Sequence, residues 1–551
     1  MPKYTIGLDY GTLSVRALLL NIESGEETAA SIYEYAHGVM DCELPDGTKL
    51  GKSWTLQFPD DYVEGLCVTI RELLSVTKTD PKDIIGIGVD FTSCTILPTK
   101  SDGTPLCNLP EFEHNPHSYV KLWKHHAAQY CADKLNAVAK DRQEPWLSLY
   151  GGKISNEWLV PKIMQIVEEA PEIYEAADRI IEAGDWIVWK LTGAEARSAC
   201  NAGYKAIYHY KSGYPSKDFF KALHPKLENL VQDKLSEDIK PLGSRAGFLT
   251  AEMAAETGLM EGTAVAVEII DAHASVAACK IDGPGKMLMA IGTSTGDMLL
   301  SLEEKGVPGT CGIVKDGVLP GLFAYEAGQS CVGDHFAWFA KTCTPAEYHQ
   351  EAAQRTISVQ ELLTEKASKL RAGKSGLLAL DWWNGVRTDL MDFDLTGLMV
   401  GMNLSTKPEE MYRALIEATA YGARQIIETF ENNGISIDEI YAAGGIAEKN
   451  KMLMQIYADV CNKEIRISGS TQSGALGSAI YGAAAAGEKL SGFKTVNEAA
   501  RKLGKVKSTV YTPIQENVII YDKLFREYKV LHDYFGLENH VMKKLNRIAS
   551  Q

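Results

Sequence analysis

Short apolar runs alternate with helical patterns along this 551-residue chain, and that alternation predicts an α/β architecture. Residues 5–20 read as a strand, a tight turn at Gly11-Thr12 and a returning strand, and residues 287–300 repeat the scheme around Gly292-Thr293-Ser294. Residues 84–91 form a short buried strand, and Leu159, Ile163, Ile166 and Val167 recur at helical spacing. Residues 262–271 read as one strand ending in a carboxylate, followed by a small-residue helix over 272–279. Ile281-Asp282-Gly283-Pro284-Gly285 then breaks the pattern and divides the chain into domains 1–284 and 285–551.

The second half predicts a long amphipathic helix. Thr406 and Glu409 have capping-box spacing, Met411, Leu415, Ala418, Gly422, Ile426 and Phe430 form a core stripe, and Gly434 ends it. Residues 441–445 are a strand closing on a Gly pair, and 472–479 open a helix of small residues. Beyond Gly487 the tail reads as helical and charged, with 501–507 a solvated basic cluster.

Composition narrows the class. The 45% hydrophobic and 23% charged content is that of a folded globular chain, and the net charge of −16 disfavours nucleic acid or an anionic membrane as partner. No apolar run approaches the ~20 residues of a membrane span, the chain enters its first strand directly after Met1-Pro2-Lys3, and the 11 cysteines lack C-x-x-C pairs. A cytoplasmic location with free thiols is the expectation.

The two hairpins are the first candidates for chemistry. Gly11 gives a backbone able to approach a polyphosphate and adopt positive φ, Thr12 and Ser14 offer hydroxyls, and Asp9 can hold a hydrated divalent cation. Gly292, Thr293 and Ser294 repeat the offer, so two similar lobes closing on one nucleotide are expected. Arg16 is a phosphate contact or a hairpin anchor. Asp271, at a strand end before the domain break, is a cleft base or a helix N-cap. The Gly444-Gly445 pair reads by itself as a tight turn between strand and helix. His114, His117, His125 and His126 lack a complete zinc ligand set.

Asp9-Tyr10-Gly11-Thr12-x-Ser14-x-Arg16 with Gly292-Thr293-Ser294-Thr295 resembles the sugar kinases of the FGGY family, relatives of actin and hexokinase, over nearly the whole chain. The resemblance implies two actin-like (ribonuclease H-like) α/β lobes around a catalytic cleft, with ATP and Mg2+ as cofactors and a small sugar as substrate. Ile270-Asp271-Ala272-His273-Ala274 is similar to the family's G-D-A-H-A-like segment, which makes Asp271 the catalytic base, sharing the metal with Asp9; His273 is read as structural. Gly444, Gly445 and Asn450 match the family's adenosine segment.

Residues 88–93, 110–126, 151–158, 202–205 and 326–330 look most like the ribulokinase branch. That branch phosphorylates L-ribulose at its terminal hydroxyl in L-arabinose catabolism, with D-ribulose also admitted here. The matched segments make Thr92, Ser93, Trp123, Lys205 and Glu326 the sugar-side candidates: Trp123 to stack on the carbon skeleton, Lys205 to donate, Glu326 to accept, Thr92 or Ser93 to close the far side. Read singly, Trp123 is equally core, Lys205 a solvated charge and Glu326 a partner for an arginine. Residues 381–388 resemble the family's N-G-x-R element, with Asp389 where proline is common. The rivals are a kinase for xylulose or another polyol and an actin-like ATPase that is no kinase. The sequence leaves oligomeric state open, a homodimer included.

Overall fold

The first hairpin forms where the alternation predicts it. In the computed structural model, which describes residues 2–549, β1 (Tyr4–Tyr10) and β2 (Ser14–Asn21) pair antiparallel, and β3 (Glu27–Glu34) continues the meander. On the other side of β1, β4 (Ile84–Phe91) runs parallel and is buried at all eight residues, as an apolar strand covered on both faces must be. The sheet is completed by β5 (Arg245–Phe248), β6 (Ala264–Ala266) and β7 (Ile269–Ile270), the last two parallel to β4. The helices α1 (Ala199–Lys205) and α2 (Asp271–Ala278) belong to the same half.

The second half rebuilds this sheet. The hairpin of β8 (Lys286–Ile291) and β9 (Thr295–Ser301) is followed by β10 (Gly312–Lys315) and β11 (Phe323–Gln329) on its outer side. The parallel side is β12 (Glu439–Ala443) and β13 (Ile465–Ser468), edged by antiparallel β14 (Val506–Tyr511). Both sheets have seven strands and share the scheme of a hairpin flanked by parallel strands.

The helices of the second half are α3 (Pro408–Asn432), α4 (Lys451–Cys461) and α5 (Ser473–Ala486). Leu415, Ala418, Ile426 and Phe430 of α3 are buried in the core of the second sheet, each large apolar side chain contributing about 1.5–3 kcal/mol. α5 crosses to lie against the first sheet. Two glycines permit it: a Cβ on Gly7 would sit 1.8 Å from the Ala475 carbonyl oxygen, and one on Gly88 1.8 Å from that of Ser478. α2 packs beside α5 and shares a buried cluster with Leu288, Met298 and Leu300 of the second sheet.

Three expectations are corrected. Residues 262–271 form two short strands, not one, because Val267 and Glu268 leave the ladder; the Glu268 carbonyl accepts from Ser198 Oγ at 2.7 Å instead. The box at the start of α3 lies one residue later than read. Pro408 takes the first helical position, the Lys407 N–H donates to Glu410, and Glu409 accepts from the Tyr348 hydroxyl. The tail is not wholly helical, since β14 adds a strand. Its basic cluster is engaged in ion pairs, Arg501 with Asp282 and Lys505 with Glu27.

Candidate active site

A cavity of about 700 Å3 opens between the two sheets. Thr92, Ser93, Trp123, Lys205, Asp271 and Glu326, the whole sugar-side set, line it together with Gly292, Thr293 and Ser294 of the second hairpin. The first hairpin stands behind this wall: the Trp123 indole N–H donates to Thr12 Oγ1 at 3.1 Å, and Gln57 donates to the Thr12 carbonyl at 2.7 Å. Trp123 therefore faces the cavity while packing partly against the helical cluster of the first half.

Asp271 is the first residue of α2, and the N-cap is Ile270, so the N-cap alternative fails. Its Oδ1 accepts from the Ala272 N–H at 2.7 Å. Burial, then the charges of Asp9 and Glu326, push its carboxyl up to about 7 against the pull of Ala272 and Lys205. Lys205 Nζ and Glu326 Oε2 pair at 2.6 Å, joining α1 of the first half to β11 of the second. Against the cost of burial, each holds the other charged: Lys205 is raised and Glu326 lowered. The partner of Glu326 is thus a lysine.

The registers of β1 and β4 set Asp9 beside Asp90. Burial, then the Asp9 charge, raises Asp90 well above the carboxylate range, so Asp90 holds the proton of the pair. Ser478 Oγ of α5 donates to Asp90 Oδ2 at 2.6 Å, and Asp90 Oδ1 is buried without a partner. Arg16 lies half exposed, 3.8 Å from Asp9, which favours the anchor reading. Gly11 does not adopt positive φ; its N–H closes the turn on the Ser14 carbonyl at 2.9 Å, so the expectation for its torsion is corrected.

The second hairpin is more open. The N–H groups of Val332, Gly333 and Asp334 reach the carbonyls of Gly292 and Thr293, leaving the Thr293 side exposed. Gly444, at φ +99°, lies against Ile291; a Cβ there would be 2.4 Å from the Ile291 carbonyl oxygen. Gly445 has nothing within 4 Å of its Cβ position. Asn450 Oδ1 caps α4 through the Leu453 N–H at 3.0 Å. These three flank the hairpin and do not line the cavity.

Sequence reasoning did not assign Arg387, Glu157, His126 or His273, all on the cavity wall. All four lie in segments that carry the family resemblance, so position in those segments was the available signal. The histidines have separate partners: His114 with Asp46, His117 with Glu169, His125 with Gln165, His126 with Glu157. Among the described residues no cluster of three or more His, Cys, Asp or Glu is placed to hold a metal by itself. Asp9 and Asp271 offer carboxylate oxygens, which fits Mg2+, a cation usually held by one or two carboxylates with waters and phosphate oxygens.

Comparison with known proteins agrees with this architecture. The N-terminal domain of the FGGY family of carbohydrate kinases matches residues 4–278 and its C-terminal domain residues 287–486. A protein named ribulokinase from Bacillus licheniformis is 59% identical over 98% of both chains. One from Staphylococcus aureus is 41% identical over 99% of both. Among solved structures, a xylulose kinase from Rhodospirillum rubrum superposes with a TM-score of 0.79 at 21% identity, covering 96% of this chain and 98% of its own. The Plasmodium falciparum glycerol kinase with ADP reaches 0.76 at 16%, covering 97% and 98%. At such identities these two speak for the two-lobed, actin-like fold alone.

Proposed function

This chain belongs to the FGGY family of carbohydrate kinases, and from that premise we propose that it transfers the γ-phosphoryl group of ATP to the terminal hydroxyl of L-ribulose, with D-ribulose as a second substrate. The product, ribulose 5-phosphate, is the form used in L-arabinose catabolism. The observation that carries the chemistry is the position of Asp271, a carboxyl raised to about 7 on the wall between the sugar-side residues and the Thr293–Ser294 hairpin. The name shared by relatives at 41–59% identity supports the choice of ribulose.

Phosphoryl transfer asks mainly for positioning and for a group that accepts the hydroxyl proton. Asp271 takes that proton on the oxygen not held by Ala272. Lys205 and Glu326 orient sugar hydroxyls from opposite lobes, Trp123 bounds the carbon skeleton, and Thr92 and Ser93 close the end. Gly11, Thr12, Ser14, Arg16, Gly292, Thr293 and Ser294 form the phosphate side, and Gly444, Gly445 and Asn450 the adenosine side. Asp9 and Asp271 would hold Mg2+ through waters; bound there, it would offset the charge of the phosphates. Closure of the lobes on the sugar excludes water and limits idle ATP hydrolysis.

The same reading carries the division at residues 284 and 285, supported by one seven-stranded sheet on each side, with α5 crossing it. It also carries a cytoplasmic location and a homodimer. Among the described residues no helix is long and apolar enough to cross a membrane. The test is ADP release with Mg-ATP and L-ribulose, D-ribulose, xylulose, glycerol or no sugar. Strong turnover with ribulose and little without sugar is expected. Preference for xylulose or glycerol would overturn the substrate, and equal release in every case would favour a sugar-independent ATPase.

A further inference from the structure

His273 was read from sequence as structural, yet its ring lines the cavity while being only 1% exposed. Three side chains of α1 surround the group it faces. The Tyr204 ring lies against the imidazole with centroids 4.6 Å apart, Cys200 Sγ is 3.1 Å from Nδ1, and Lys205 holds Glu326. The Cys200 thiol is buried beside Glu268, a setting that keeps the proton on sulfur. Nε2 faces the Glu326 carboxylate, so the arrangement that sets a donor against that acceptor has sulfur donating to Nδ1 and the ring proton on Nε2.

That Nε2–H has no hydrogen-bond partner among the described residues, and it stands 3.8 Å from Glu326 Oε2, too far for a bond. A buried donor without a partner is costly, and native structures rarely leave one unexplained. A hydroxyl oxygen about 2.9 Å from both atoms would close the triangle, accepting from Nε2 and donating to the carboxylate. A water can close the same triangle when the site holds no sugar, and a sugar hydroxyl that displaces it must reproduce both bonds. A ketopentose hydroxyl does.

We propose that His273 is a specificity-determining contact of the sugar site, its Nε2–H and the Glu326 carboxylate together bracketing one secondary hydroxyl of the ketopentose, with Cys200 the positioning residue that fixes the tautomer. The proposal rests on the sugar-kinase reading above. A site that holds a hydroxyl through both its lone pair and its proton reads the direction of that C–O bond. An epimer turns the oxygen away and leaves the donor and the acceptor unmet.

Steady-state kinetics on the full chain test it, with kcat and KM measured separately for L-ribulose, D-ribulose and xylulose in wild type, His273→Ala, His273→Gln, Cys200→Val and Cys200→Ser. His273→Ala is expected to lower kcat/KM for the preferred sugar by about 10- to 100-fold, mainly through KM, and to narrow its advantage over the epimers. His273→Gln, which keeps an N–H, recovers part of the loss. Cys200→Val produces a loss of several-fold, and Cys200→Ser, whose hydroxyl also donates, restores it. Nitrogen NMR of 15N-histidine wild type, independent of whether any variant folds, is expected to report the Nε2–H tautomer. An Nδ1–H tautomer, or equal losses for every sugar with the preference intact, would overturn the contact and leave the kinase standing. Failure of wild type to release ADP with any sugar would instead overturn the function on which it rests.

Discussion

The two sheets share one plan and carry opposite chemistry at matching positions. Two residues before each turn glycine stand Asp9 in β1 and Ala290 in β8. In the parallel neighbours, the partner of Asp9 is Asp90 and the partner of Ala290 is Ala443. The first lobe thus presents a pair of carboxyls where the second presents methyl groups. The turns differ too: Gly11 closes on Ser14, Gly292 on Ser294, one residue sooner. The first turn is tied down by Trp123 and Gln57, whereas the second opens on the cavity. The duplicated scaffold fixes two cradles in space, and substitution at a few strand ends divides the work, acid groups on one side and room for the phosphates on the other.

Changes in the two lobes and at the base between them break the comparison in order of size. Asp271→Asn should lower kcat about 10²- to 10⁴-fold in the ribulose assay, the range for a lost general base. Gly88→Val drives a side chain into the α5 backbone and should cost more than about 4 kcal/mol of unfolding free energy. Gly445→Ala, with open space at its Cβ, should change it by less than about 1 kcal/mol in the same denaturant titration. Together they separate a glycine needed for packing from one with free space around it.

The acid-rich lobe also predicts the pH response. Activity needs Asp271 ionised, so kcat/KM should fall tenfold per unit below pH about 7, and Asp271→Asn should remove that limb. The sign for stability is the reverse. Because the folded value lies above the unfolded one near 3.9, the contribution of Asp271 is complete in acid and is lost as pH rises through about 7. Asp271→Asn should therefore melt above wild type at pH 8, read by calorimetry. Smallest of all, Arg16→Ala removes a half-exposed contact at 3.8 Å and should cost under about 1 kcal/mol.

Local signals in the sequence carried much of this. Gly11 and Gly292 each sit between two short apolar strands, and both hairpins formed within a residue or two of expectation. Asp271 and the sugar-side set lie in short segments whose residue types belong together, and all reach one cavity. What escaped depends on distant packing. The pairing of Lys205 with Glu326 spans 121 residues, and the crossing of α5 depends on backbone left bare by Gly7 and Gly88 near the other end of the chain. β14 escaped because an edge strand with mostly exposed residues has no apolar run to mark it. Asp389 departs from proline for a tertiary reason, since its carboxylate accepts from Gln425 and pairs with His532 of the tail helix.

The most direct test of the division of labour is a single experiment on Asp271→Asn and wild type: ribulose 5-phosphate formed in one turnover, with Mg-ATP affinity measured in the same samples. The account predicts product formation slowed at least 100-fold with nucleotide affinity held within a few-fold. Product formed at the wild-type rate would contradict it and remove Asp271 from the chemistry.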